Sequence, residues 1–185
     1  PASKLEHVLR EIGRLREITF REVGEGTNEA IDLDKFDTYY HHMFLWDTEA
    51  KVLAGAYRMG LGSKIFEAYG IDGFYLQDLF RFEPELHTMM SQSIEMGRAF
   101  IIKSYQQKPM PLFLLWKGIV HTTLRFPEHK FLIGGVSISN QFSNFSKSLM
   151  IEFMKSHYYD PYIAQYVHPK KEFKVKLKDA DKDFV

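Results

Sequence analysis

Ser93-Ile94-Glu95-Met96-Gly97-Arg98-Ala99-Phe100-Ile101-Ile102 places an acid and a base three residues apart within an apolar run that reads as a strand crossing a core. A carboxylate withdrawn from water costs several kcal/mol unless it is paired or hydrogen-bonded, so Glu95 and Arg98 are expected to answer each other, a ligand, or both. A regular strand has a side-chain period of two and sends positions 95 and 98 to opposite faces. A bulge, for which Gly97 is the natural residue, would turn them toward one site. This stretch is therefore expected in the interior of a sheet, and the remaining elements are read outward from it.

Upstream, Tyr39–Trp46 and Val52–Met59 are β-prone runs joined by Asp47-Thr48-Glu49-Ala50-Lys51, the pattern of a hairpin with a short polar turn. Gly60–Gly73, with four glycines, reads as an irregular connector, and Phe74–Phe82 as a strand or extended segment. Pro84 opens a short helix to about Gln92. Downstream, Ser104–Pro109 reads as a loop, Pro111–Arg125 as a mostly apolar helix and Phe131–Ser139 as a strand. A helix then runs from about Asn144 to His157, where Tyr158-Tyr159-Asp160-Pro161 breaks it. At the start of the chain Leu5, Val8, Leu9, Ile12, Leu15 and Ile18 recur at helical spacing, with Ser3 as the expected cap. Strands alternating with helices around an antiparallel hairpin indicate a mixed α/β (α+β) sheet. Residues 1–168 form one expected domain and 169–185 a charged tail, whose Lys174/Lys176/Lys178 alternation suits an edge strand or disorder. The start at Pro1 and the charged end suit a piece of something longer.

Composition narrows the chemistry. The 185 residues carry 24 Lys+Arg against 24 Asp+Glu, so no global field favours nucleic acid or an acidic membrane surface. With zero cysteine, disulfides, a thiolate nucleophile and cysteine-ligated zinc are all excluded, and a reducing cytoplasm is a compatible location. The longest apolar run, Met110–Trp116, is far short of the roughly 20 residues that span a bilayer. The eight histidines show no His-x3-His or His-Glu-x2-His spacing, so no metal site is expected. No Gly-x-Ser-x-Gly elbow appears, which argues against a serine hydrolase. His42-x4-Asp47 spells a glycerolipid O-acyltransferase motif, but on a β-prone run its two side chains point to opposite faces, so chance is the better explanation. An aromatic content of 15% suits a long apolar pocket as well as a bulky core.

Five short blocks in order carry a family resemblance: Phe36-Asp37, Gly55-Ala56-Tyr57-Arg58, Glu95-Met96-Gly97-Arg98, Leu115-Trp116-Lys117-Gly118 and Gly135-Val136-Ser137. From about Gly13 to Asn140 the chain resembles the ornithine-lipid type of acyl-carrier-protein-dependent N-acyltransferases, GNAT-like relatives of the acyl-homoserine-lactone synthases, some of which carry a hemolysin label. The resemblance implies a GNAT-like fold with a central, mostly antiparallel sheet. It implies transfer of a (3-hydroxy)fatty acyl group from acyl carrier protein, or coenzyme A, to the amine of a small amino acid, giving an acyl-amino-acid lipid precursor. The phosphopantetheine thioester would be a co-substrate and no cofactor would stay bound. A separate O-acyltransferase domain or enzyme and the inner membrane face are the further partners implied. Residue by residue, Glu95 and Arg98 match the active-site pair, while Asp37, Arg58, Trp116, Lys117 and Ser137 match positions expected to bind substrate. Two departures stand out. His41-His42 replaces the usual Asp-His, and Ser104–Pro109 lacks the glycines of the common pantetheine-binding turn, which weakens coenzyme A as donor. A non-catalytic lipid-binding or membrane-associated module is the competing class. An acyl-homoserine-lactone synthase is the nearer competitor, but it expects a tryptophan-rich N-terminal region, and no tryptophan precedes Trp46.

Overall fold

The computed structural model describes residues 5–139 and 141–173. The expected cap Ser3 and the Lys174/Lys176/Lys178 alternation lie outside the described residues. A four-stranded sheet organises the fold in the order β1-β2-β4-β5. β1 (His41–Asp47) and β2 (Val52–Leu61) form the expected antiparallel hairpin, and β4 (Ser93–Ile101) lies inside the sheet, antiparallel to β2 and parallel to β5 (Phe131–Ile133). The interior position expected of Ser93–Ile102 is therefore observed, and with it the mixed, mostly antiparallel class. A second ribbon pairs β3 (Phe80–Phe82) with β6 (Val167–Pro169).

Helix α1 (Glu6–Glu22) packs on one face of the sheet, where Ile12 meets Leu53, Ala56 and Phe100. Its buried stripe differs from the apolar pattern: Ile18 is exposed, while Arg16 and Glu17 are buried. Two charged residues displace an isoleucine from the core because each finds a full set of partners there. On the other face, α5 (Pro109–Arg125) sets Ile119 against Met59, Leu61 and Ile94.

Three local expectations are corrected. Gly60–Gly73 is not irregular throughout, since Gly60 and Leu61 finish β2 and α2 occupies Gly62–Tyr69. Gly62 opens that helix because its Cα abuts the carbonyls of Met90, Ser91 and Ser93; a Cβ would collide with the first and come within 2.6 Å of the Ser93 oxygen. The glycine serves close approach, not chain reversal. Ser104–Pro109 is largely a short helix, α4 (Lys103–Gln106), rather than a loop. Phe74–Phe82 forms a strand only at Phe80–Phe82, because Tyr75–Asp78 winds into a 3₁₀ turn whose leading N–H groups are held by Glu95.

β5 is also shorter than expected. It pairs with β4 only from Ser93↔Phe131 to Glu95↔Ile133, and the chain from Gly134 onward leaves the sheet. The remaining short helices, α3 (His87–Ser91) and α7 (Pro161–Ala164), and the longer α6 (Asn144–Tyr158) complete the α-helices of the described residues. No helix among the described residues is long and apolar enough to cross a membrane.

Candidate active site

Where β4 and β5 part, a cleft of about 720 Å³ opens. Its walls include Met96, Gly97, Arg98 and Ala99 of β4, Tyr75 and Leu79 of the connecting segment, Leu112 and Trp116 of α5, and Gly135-Val136-Ser137 beyond β5. The edge of β4 past Glu95 has no strand partner on this side among the described residues. Its backbone is therefore available to a ligand, since peptide groups that leave a ladder still need partners.

The expected bulge exists, but its strained residue is not the glycine. Between Ala56↔Phe100 and Arg58↔Gly97, β4 uses one residue more than β2. Arg98 takes the left-handed conformation, with φ of 52°. A non-glycine residue there carries roughly 1–3 kcal/mol of backbone strain, which persists only where surrounding contacts over-determine it. The extra residue turns Arg98 to the face that carries Glu95, as the sequence required.

The two do not pair with each other. Glu95 is 2% exposed and its carboxylate is occupied. The Tyr40 hydroxyl and the Tyr75 N–H (3.0 Å) donate to Oε2, and the Leu76 N–H donates to Oε1 at 2.7 Å. Burial pushes its pKa up, against the lowering effect of these donors and of the Arg58 charge. Arg98 turns instead toward Asp32 (3.9 Å) and Asp34 (3.7 Å), with its guanidinium 5.3 Å from the Tyr75 ring centroid. Tyr75 is thus the link: Glu95 holds its backbone, and its ring lies under Arg98.

The expected network of Asp37, Arg58, Glu95 and Arg98 is larger than four charges, and Glu95 stands at its margin. Arg16 is wholly buried and clamps Asp32 through Nε (3.0 Å) and Asp37 through Nη1 (3.1 Å) and Nη2 (2.9 Å). Arg58 donates to Asp34 at 2.6 Å and lies 3.3 Å from Asp37. Its guanidinium sits over Phe36, Tyr40 and Tyr75, whose faces stabilise a buried cation. Burial raises the pKa of Asp37, but the hydrogen bonds from Arg16 and the charges of Arg16 and Arg58 prevail and hold it at about 2. The aspartates stay together because Asp34 caps the 3₁₀ turn Lys35–Thr38 and Asp37 accepts the Asp34 N–H in return, a capping box. Glu17 anchors the preceding loop, accepting from the Thr27 N–H and hydroxyl and from the Asn28 N–H.

Sequence reasoning missed Arg16, Asp32, Asp34, Tyr40 and Tyr75. A signal existed for some of them: Arg16 lies one turn from Ile12 on a face that should be apolar, and Ile31-Asp32-Leu33-Asp34 alternates acid with aliphatic. Nothing in the sequence singles out the two tyrosines. Among the expected substrate-binding residues, Trp116 and Ser137 line the cleft, and the Ser137 hydroxyl donates to Glu25 at 2.8 Å. Lys117 is exposed and does not line it, because the helical step of 100° per residue turns it away from Trp116. His42 and Asp47 do not cooperate, as expected: His42 Nε2 faces the Asp37 carbonyl (3.0 Å), whereas Asp47 accepts from Glu49, Ala50 and Tyr105.

The mixed, mostly antiparallel fold agrees with the comparison of sequences, in which residues 15–116 match the acetyltransferase (GNAT) domain. The chain belongs to this family. Two curated proteins are similar along most of its length, both called glycine N(alpha)-acyltransferase. One, from Bacteroides thetaiotaomicron, is 32% identical over 165 residues, covering 83% of this chain and 49% of that protein. The other, from Phocaeicola vulgatus, is 30% identical, covering 83% of this chain and 51% of that protein. The GNAT chain described here thus spans about half the length of the curated relatives it matches. No solved structure matches it.

Proposed function

We propose that the domain transfers a fatty acyl group from a phosphopantetheine thioester to the α-amine of glycine or a similarly small amino acid. The single observation that carries this reading is the wedge between β4 and β5. An unpaired strand edge beside an apolar wall of Leu112, Trp116 and Val136 offers backbone partners to an amide-bearing arm and a greasy surface to an acyl chain. The names of the two relatives support glycine as acceptor. The donor is acyl carrier protein or coenzyme A, which share the arm; the absence of glycine from 104–109 favours the carrier protein.

In the reaction the neutral amine attacks the thioester carbonyl carbon, the C–N bond forms, the C–S bond breaks, and the proton lost by nitrogen ends on the departing thiol. Catalysis of this step rests on holding the amine against the carbonyl and on donors for the developing oxyanion. Glu95 acts here as a positioning residue. It is buried one residue behind the cleft wall and touches the cleft only through Tyr75, whose ring carries Arg58 and Arg98.

Purified protein given acyl carrier thioester or acyl-coenzyme A, with glycine and a panel of amines, should release thiol only when an amine is present and yield the N-acyl product by mass spectrometry. Binding of neither donor, with no thiol release under any amine, would favour the lipid-binding module instead.

A further inference from the structure

Three arginines meet three aspartates beneath the cleft, and they are not equally satisfied. Arg16 donates hydrogen bonds to two carboxylates, and Arg58 donates to Asp34. Arg98 donates none among the described residues: both of its carboxylate contacts, at 3.7 and 3.9 Å, are beyond hydrogen-bond reach, and its Nε is buried without a partner. Yet Arg98 alone of the three lines the cleft, with about a fifth of its side chain exposed. Its left-handed backbone is what places it there.

The nearest carboxylate is equally unfinished. Asp34 Oδ1 accepts from the Phe36 and Asp37 N–H groups and from Arg58, while no hydrogen bond among the described residues reaches Oδ2, the atom 3.7 Å from Arg98. A guanidinium that lines the cleft and donates no hydrogen bond thus lies 3.7 Å from a carboxylate oxygen that accepts none among the described residues.

We infer that Arg98 and Asp34 read the acceptor as a zwitterion, Arg98 gripping its carboxylate and Asp34 Oδ2 accepting a hydrogen bond from its ammonium, whose extra proton passes to solvent water before the neutral amine attacks, the second proton leaving with the thiol. This rests on the N-acyltransferase reading and adds to it that the acceptor must be an α-amino acid with a free carboxylate. A planar guanidinium with five donors suits a carboxylate. Arg16, Arg58 and Arg98 balance Asp32, Asp34 and Asp37 in charge, so this cluster by itself suits a zwitterion, which adds no net charge to it. Charges separated by one carbon fit two groups this close, whereas β-alanine and γ-aminobutyrate hold theirs farther apart.

The test compares glycine with glycinamide, β-alanine and ethanolamine as acceptors for the intact protein, and for Arg98→Gly, which removes the guanidinium and suits the left-handed backbone. Wild type should prefer glycine over glycinamide by roughly 100-fold, the worth of a charged hydrogen-bonded contact. In Arg98→Gly that preference should collapse and the KM for glycine rise by a similar factor, with the donor KM unchanged, and added guanidinium ion should restore part of the loss. Equal rates with glycine and glycinamide in the wild type overturn the inference alone. A rise confined to the donor KM also overturns it, assigning Arg98 to the donor's phosphate. No transfer to any amine sinks the acyltransferase reading and this inference together.

Discussion

Gly134 lies so close to the Met96 carbonyl that a Cβ on it would stand 2.6 Å from the oxygen, and β5 parts from β4 at this point. Gly97, opposite in character, has nothing within 4 Å of where its Cβ would be, yet it lines the same cleft. The two glycines therefore separate stability from binding. Gly134→Ala must push the strands apart and should lower stability by about 1–3 kcal/mol in urea denaturation, the usual effect of overpacking. Gly97→Ala should leave the urea midpoint nearly unchanged while raising the donor KM, because its methyl intrudes where the thioester arm would lie. Equal effects on both quantities in both variants would count against the wedge as the donor site.

Glu95→Gln should damage the fold before the chemistry. Its carboxylate accepts three hydrogen bonds, and an amide would face at least one N–H with an N–H of its own. A loss of about 1–3 kcal/mol is expected from one unsatisfied buried group. Acyl transfer should fall as well, through the displacement of Tyr75, but the pH profile of kcat/KM should keep its shape. Loss of one limb of that profile would show that Glu95 titrates in the reaction and is a base after all.

Acid should loosen the charged network in a definite window. The folded pKa of Asp37 is depressed from 3.8 to about 2, so its stabilisation is complete above the unfolded value and disappears as pH falls through the folded one. At about 1.4 kcal/mol per pH unit this amounts to roughly 2 kcal/mol. Glu95 has the opposite sign. Its pKa is raised by burial, so its contribution is full below the ordinary carboxylate value and declines as pH rises through the raised one. Chemical denaturation at stepped pH should show Asp37→Asn abolishing much of the low-pH slope.

His42→Ala and Asp47→Ala should each leave acyl transfer within a few-fold of wild type, since the two side chains serve different neighbours. O-acyltransferase activity lost in both would falsify the separation.

What the sequence made legible was whatever follows from local chemistry. The polar turn between Val52 and Trp46 announced the hairpin, and the apolar run around Glu95 announced an interior strand. The bulge followed from parity alone, although its strain falls on Arg98 and not on Gly97. Partners were not legible in this way. Glu95 is answered by Tyr40 and by two backbone N–H groups, and neither type of partner carries a charge that a reader pairing acids with bases would seek. Gly62 misled because close approach to Met90 and Ser93 is a tertiary demand that looks, in sequence, like a loop.

The crossed arginines and aspartates also bear on how the domain is assembled. Arg16 comes from the first helix, Asp32, Asp34 and Asp37 from the loop after it, and Arg58 and Arg98 from two strands of the sheet. No one of these three pieces is electrically complete, and removing one partner from a buried pair costs about 3–5 kcal/mol. A chain that has made its sheet but not yet docked its helix can pair Arg58 with Asp34 but leaves Asp32 and Asp37 without the Arg16 guanidinium that clamps them. The cluster is complete only with helix, loop and sheet all in place, so a protein split between residues 22 and 31 should regain full order only when both fragments are mixed, each serving as the other's template.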